Sequence, residues 1–585
     1  MDVDYRGLVE DSNEAAIVLF SPSVQMKPAG PKLSKSRKSD LLPDWRFLAT
    51  ASAIVVVALL LRLYHIGAQE FWLDEALSFH TATMPNWLGA PLIENNTPPL
   101  YYLLLREWMP LAGQSEASIR LLSAVFGTIF VAMVIWAGRE IFDPRVGLWS
   151  GLIAAVAPIH IYYSQEARAY ALLTLALLAT YATLWRALKT NLWRWWALFS
   201  LSSLVAFYSH YFAILGLLPT VYLLLVWPEK QQATRTRLYY GAAALASGLV
   251  FLPWLILSFI FSPHTLPLWM RNIWEQTPPL LAIPKSLEVL GLGSQAGLLP
   301  TFLKQFSSLE FPLSFRLLGI AIIFLIGLWV AIPQGDRRLN VPDLGRRKAF
   351  LGMALFFPLV VLWLVSFHRP FYVVGRYDIM AFPAYSLLLG LGLTKIQSAK
   401  KAGPILAFLA ALALFVPIGA KLILYYQIPS DRLSQSTAIT LHESVRNGDP
   451  VVFVGPRGLL IMYYMNRLGY RWQDGYCRNE MAGRRFPCRF IPQRHENRLT
   501  SAPSSDPIQR REPRENIDGK VEELVRSLLP QEGVLWVVFE HTAILSDREV
   551  ISSRPNVRLA RELQRLGLKA IPLDADLGIF QFRRS

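Results

Sequence analysis

Asp74 and Glu75 stand side by side in FWLDEALSFH, residues 71–80, directly after an apolar stretch long enough to cross a bilayer. Three other segments set ionisable groups beside apolar runs. PIHIYYSQEARAY carries His160, Glu166 and Arg168, FYSHYF carries His210, and FHRPFYVVGRYD carries His368, Arg369, Arg376, Tyr377 and Asp378. Charges at a membrane are costly, so those that persist face a cavity or a partner. A carboxylate under an apolar roof has its charged form disfavoured, which moves Asp74 toward use as a general base. Arg168 and Arg376 supply planar forks that match phosphate oxygens and steady charge gathering on a departing phosphate. A base beside phosphate-holding cations is the chemistry of group transfer from a lipid-linked phosphate donor to a hydroxyl. Each residue also has a plainer use. Asp74 and Glu75 suit the first turn of a juxtamembrane helix, Glu166 can pair with Arg168, and His160 and His210 can be satisfied polar groups on apolar helices. Arg369 can snorkel at the headgroups, and Tyr101 and Tyr102 can be packing.

The elements that must position these groups follow from hydropathy. Of the 585 residues, 53% are hydrophobic and 17% charged, and the mean hydropathy is +0.33, which excludes an ordinary soluble domain. Apolar runs predict eleven membrane helices over about 47–66, 119–138, 147–163, 169–188, 194–211, 212–228, 238–260, 314–332, 349–367, 379–394 and 403–425. With the N-terminus inside, the internal short loops carry more than twice the Lys and Arg of the external ones, so the acids and the C-terminal region are expected outside. The net charge of +16 is then largely loop charge facing anionic lipid, and no nucleic-acid partner is expected. Residues 1–46, rich in Ser and Lys, read as a disordered cytoplasmic tail ahead of an uncleaved first helix.

Residues 47–426 thus form a transmembrane domain with long external loops at about 67–118 and 261–313, whose Trp, Tyr and Pro suit amphipathic pieces roofing a cavity. From 427 to 585 the texture is that of a small α/β domain. SDRLSQSTAITLHESVRNG reads as a capped helix, DPVVFVG as a strand and PRGLLIMYYMNRLG as a second helix. An Arg- and Pro-rich insertion over 480–517 is expected to be poorly ordered, with helices in GKVEELVRSLLPQ and NVRLARELQRLG and strands in GVLWVVFE and GIFQFR. The glycines of VFVGPRG lack a phosphate-loop pattern and read as a strand-to-helix turn. Cys477 and Cys488, the two cysteines, are close enough to pair, and an external location would preserve the bond.

The order F-W-x-D-E, then TPPLYYLLL, HIYYSQEARAYAL, YSHYFAIL, and an R-Y pair before MAFPAY resembles the family 39-like glycosyltransferases, relatives of protein O-mannosyltransferases and lipid A aminoarabinose transferases, over about 45–425. The resemblance implies the GT-C membrane fold in a bacterial inner (plasma) membrane and a sugar donor carried on polyprenyl phosphate. It further implies an inverting transfer to a lipid, glycan or protein acceptor. By motif, Asp74 would be the base and Glu75 its partner, orienting acceptor or base. Arg168 and Arg376, with His210 and Tyr377, would meet the donor phosphate, and Glu166 and His368 would be accessory. In ENNTPPL, Asn96 and Thr97 stand where aminoarabinose transferases have a lysine, a departure from that branch. No cofactor is expected. A divalent metal would need Glu75, Glu94 and His210 to converge, and no fixed-spacing ligand motif is present. A transporter or lipid-linked-sugar flippase would also have many helices, but it would place its charges near the midplane of several spans. A scaffold for wall polymer would leave Asp74, Arg168 and Arg376 far apart.

Overall fold

A computed structural model describes residues 45–84, 97–226, 233–261, 268–293, 313–333, 339, 341–399, 401–427, 432–454, 457–473, 476–479, 481, 483–491, 534–538, 544–546, 549–551, 563, 568–574 and 579–584. All but the last two residues of the expected tail, with Glu94 and Asn96, lie outside them. So do the glycine turn after DPVVFV, the helix of GKVEELVRSLLPQ and almost all of NVRLARELQRLG.

In chain order the first part comprises α1 (Trp45–Leu63), α2 (Leu73–Thr83), α3 (Leu100–Ala112), α4 (Glu116–Ile141), α5 (Pro144–Val156), α6 (Pro158–Ser164), α7 (Tyr170–Thr190), α8 (Trp193–Ser209), α9 (Ala213–Leu217) and α10 (Thr220–Val226). There follow α11 (Ala233–Phe261), α12 (Leu268–Gln276), α13 (Pro279–Leu292), α14 (Leu313–Ala331), α15 (Leu344–Ser366), a 3-10 turn (Tyr377–Ala381), α16 (Phe382–Gln397) and α17 (Gly403–Tyr426). Each of the eleven expected spans is largely helical over its described residues. Among the described residues eight helices are long and apolar enough to cross a membrane, or nine with α5 and α6 counted as one span bent by 63°. The segments expected at 194–211 and 212–228 fall short of that test, because α8 has 17 residues and the next run is divided into α9 and α10.

The bend between α5 and α6 has a sequence cause. Pro158 disfavours helical geometry at Ala157, whose ψ is 116°, and its ring cannot continue the helix. The carbonyls freed by the break are taken by Arg62 of α1, fully buried, which donates to Ala154 O at 3.1 Å and Ala155 O at 3.1 Å. Arg62 also donates to Ser164 Oγ at 3.2 Å and lies 3.0 Å from His160 Nδ1. His160 in turn stacks between Phe130 and Phe382, so here it is a packed polar group. Gly127 leaves the room this requires: a Cβ there would lie 2.0 Å from Ser164 Oγ and 3.0 Å from Arg62 Nε.

The second part holds α18 (Leu433–Ser444), β1 (Val451–Val454), α19 (Arg457–Arg467), β2 (Arg471–Gln473), β3 (Tyr476–Asn479), β4 (Arg484–Ile491), β5 (Leu535–Val538), β6 (Ile544–Ser546), β7 (Glu549–Ile551), β8 (Leu568–Asp574) and β9 (Ile579–Arg584). Seven of these strands form one mixed sheet in the order β2-β3-β4-β1-β5-β9-β8, parallel across β4-β1-β5 and antiparallel elsewhere. The expected insertion over 480–517 is therefore too wide, since β4 occupies 484–491 and pairs with both β3 and β1. Its arginines hide an alternation in which Phe486 and Cys488 turn into the core. Cys477 and Cys488 are joined by a disulfide. Phe71, Phe79, Tyr101, Tyr102 and Leu105 of the segment between α1 and α4 share one continuous core with Phe453, Ile461, Tyr463, Tyr464, Phe486 and Trp536 of this region.

Candidate active site

Helix α2 is capped by Trp72, whose N–H donates to the Glu75 carboxylate at 3.4 Å. Asp74 and Glu75 occupy its first turn, where the helix dipole favours negative charge, and they then part company. Glu75, 1% exposed, accepts two bonds from Arg120 of α4 at 2.8 and 2.6 Å and one from the Ala167 N–H at 2.9 Å. Arg120 also donates to the carbonyls of Ile66, Gln69 and Glu70, so one guanidinium and one carboxylate fix the turn before α2 against α4 and the α6–α7 loop.

Asp74 faces the other way and forms an ion pair with Arg376, each side chain being 19% exposed. The Arg376 Nε donates to the Tyr170 hydroxyl at 2.9 Å, and its guanidinium lies 5.9 Å from the Trp72 ring and 5.7 Å from that of Tyr377. Burial works against charge on Asp74, but Arg376 and then Arg168 outweigh it and hold the carboxyl below its ordinary value. Arg168 approaches from the same side. It donates to the Tyr102 hydroxyl at 3.1 Å and lies 3.5 Å from the Oγ of Ser78, one turn beyond Asp74. Thr97 and Tyr102 share a hydroxyl contact of 2.7 Å that holds this phenol. His210 sits behind, its ring 6.0 Å from Tyr170 and 5.5 Å from Tyr377. Asp74, Arg168, Arg376, Tyr377 and His210 thus come together, whereas His368 is exposed just beyond the end of α15.

Glu166 does not pair with Arg168. It is 3% exposed, and neither of its carboxylate oxygens has a hydrogen-bond partner among the described residues. Burial, then the Glu75 charge, pushes its pKa well above the ordinary carboxylate value. It lines a cavity of about 50 Å³ with Trp72, Glu75, Tyr162, Tyr425 and Tyr426. Among the described residues no three His, Cys, Asp or Glu side chains meet as a metal site. Arg120, Ser78 and Tyr170 were not singled out by sequence. Arg120 had a signal, an arginine directly before the uncharged run 121–138 of α4, whereas Ser78 and Tyr170 had none.

A membrane helix bundle that carries α2 and α3 between its first two long helices and is followed by an α/β region is the GT-C fold of glycosyltransferases. ArnT from Cupriavidus metallidurans shares it in the apo state, with a TM-score of 0.54 at 12% identity, over 92% of this chain and 98% of that one. Its form bound to undecaprenyl phosphate gives 0.53 at 12% identity, over 92% and 97%. The Archaeoglobus fulgidus oligosaccharyltransferase gives 0.48 at 12% identity over 72% of this chain, which spans 64% of that protein. In sequence, residues 96–257 match the family described as dolichyl-phosphate-mannose-protein mannosyltransferase. The match takes in Glu166, Arg168 and His210 but not Asp74 or Arg376. No curated protein sequence matches the chain.

Proposed function

We propose that this multi-pass membrane protein is an inverting glycosyltransferase that moves a sugar from a polyprenyl-phosphate donor to a hydroxyl acceptor on the extracytoplasmic side. The observation that carries the reading is the meeting of Asp74, Arg376 and Arg168 at one helix boundary, contributed by three distant segments. The loop charges support an outside position for that boundary, and the ArnT structure with undecaprenyl phosphate gives the fold a precedent for such a lipid.

In the resting arrangement Arg376 is held by Asp74. A donor phosphate competes for the same guanidinium, and Arg168 supplies a second cation. Losing Arg376 leaves Asp74 with less to stabilise its charge, so its proton affinity rises when the donor is in place. The acceptor oxygen then attacks the anomeric carbon from the face opposite the phosphate. The new C–O bond forms as the bond to the phosphate oxygen breaks, the electron pair leaves with the phosphate, and the hydroxyl proton passes to Asp74. Glu75 acts through position, and the Glu166 cavity offers the hydroxyls of the acceptor a protonated carboxyl with no hydrogen-bond partner among the described residues.

The test is the profile of lipid-linked sugars in a strain lacking the protein, with undecaprenyl phosphate binding to the purified chain in detergent. Accumulation of one polyprenyl-phosphate sugar together with saturable binding is expected. An unchanged lipid profile and no binding would remove the assignment, and movement of a lipid across vesicles without transfer would favour the flippase.

A further inference from the structure

We propose that the C-terminal α/β region is the second jaw of a clamp on the acid-bearing turn, with Glu70 and Tyr464 as positioning residues for Asp74. The inference rests on the reading of Asp74 as the proton acceptor, and it gives this region a role other than gathering acceptor.

The turn between α1 and α2 has no regular structure to fix it, and His65 within it has a φ of 55°. Arg120 holds it from the bundle side through three backbone carbonyls, as above. From the opposite side the Glu70 carboxylate accepts the N–H groups of Ser434 at 3.2 Å and Gln435 at 2.6 Å. These belong to the first turn of α18, which has no side-chain cap of its own. Glu70 therefore completes a helix end that needs an acceptor, and the helix dipole adds to the attraction. The next residue continues the pattern. The Phe71 N–H donates to the Tyr464 hydroxyl at 3.2 Å, and the Phe71 ring lies 4.4 Å from that of Tyr463. Helix α19 is itself fastened to the bundle, since Tyr463 donates to Gln114 O at 2.9 Å and Arg467 pairs with Glu116 at 2.5 Å. Three residues, 364, 365 and 393 positions downstream in sequence, thus grip the chain within four residues of Asp74.

A base must meet its proton within hydrogen-bond reach, and a displacement of about 1 Å can cost about 100-fold in rate. Slackening the jaw should therefore lower turnover without weakening donor capture, which depends on arginines from other elements. A region that only recruits acceptor would instead change the acceptor concentration needed.

The experiment uses the full chain in detergent micelles, comparing wild type with Tyr464→Phe, Glu70→Ala and Glu70→Gln. Tyr464→Phe keeps the ring in the core, and Glu70→Gln keeps one acceptor oxygen. Three quantities are read: hydrogen exchange over 66–83, affinity for undecaprenyl phosphate, and maximal transfer with the lipid extract of the deletion strain as donor pool. Tyr464→Phe and Glu70→Ala should exchange faster over 66–83, with Phe71 foremost, and lose about tenfold or more in maximal transfer. Undecaprenyl phosphate affinity and melting temperature should hold near wild type, and Glu70→Gln should recover part of the loss. Exchange and maximal transfer equal to wild type would overturn the clamp, as would a loss seen only as a higher acceptor requirement. If wild type neither binds undecaprenyl phosphate nor transfers sugar, the enzymatic reading fails, and unchanged exchange would still dismiss the clamp by itself.

Discussion

Asp74→Asn should push binding and turnover in opposite directions. In the resting arrangement the carboxylate of Asp74 is the competitor a donor phosphate has to displace from Arg376. With both side chains 19% exposed, the pair is worth about 1 kcal/mol, the upper end for solvent-touched ion pairs. Asparagine keeps the shape and removes both the competitor and a negative charge beside the incoming phosphate. Since about 1.4 kcal/mol is tenfold in affinity, undecaprenyl phosphate should bind the variant about fivefold more tightly. Turnover should fall by about 100- to 10,000-fold, the usual contribution of a general base. The assays are undecaprenyl phosphate titration of the purified chain in micelles and single-turnover transfer from the deletion strain's lipid extract. Weaker binding would mean that Asp74 helps to build the phosphate site, and retained turnover would remove it as base; either result refutes the reasoning.

Glu75→Gln should act on stability. It strands the buried Arg120 charge, and breaking such a pair costs about 3 kcal/mol, the low end of its range, because Arg120 keeps its three carbonyl partners; an unchanged melting temperature in micelles would contradict this. Glu166 is protonated in the folded chain at pH values where the unfolded chain has lost that proton, so its contribution to stability falls as pH rises above the ordinary carboxylate value. The slope is at most about 1.4 kcal/mol per pH unit, and Glu166→Gln should flatten the melting-temperature profile and raise its alkaline end; equal slopes would show that the carboxyl is solvated. Gly127→Ala forces a methyl onto Ser164 and Arg62 and should cost about 1–3 kcal/mol, read as earlier melting; a neutral result would mean that the α1–α6 contact yields.

The membrane helices were legible because hydropathy acts locally, and Asp74, Arg168 and Arg376 stood out as ionisable groups set against apolar sequence. What each group touches was less so. Glu75 reads as half of a catalytic pair in FWLDEAL, yet its charge is spent on Arg120, 45 residues away. Glu166 and Arg168, two residues apart, look like natural partners, but the loop sends them to different walls. In the C-terminal region LWVV announces β5 by its apolar run, whereas RRFPCRFI conceals β4, because its arginines and proline interrupt the apolar pattern that Phe486 and Cys488 carry into the core. The helix beginning at Leu433 looks self-capped, and its actual cap is Glu70, a residue no local window contains.

The broken span also bears on how the chain is assembled. Arg62 emerges from the ribosome about 90 residues ahead of the carbonyls that will receive it. An arginine placed in lipid without partners costs about 2.5–3.5 kcal/mol on insertion scales, so α1 on its own must leave that side chain reaching for the headgroups. Arrival of α5 and α6 draws it inward and closes the gap at Ala157, which makes the bend a latch engaged only after six helices have been synthesised. Truncated chains ending before Pro144 should accordingly hold their first helix at a shallower depth than the complete protein does.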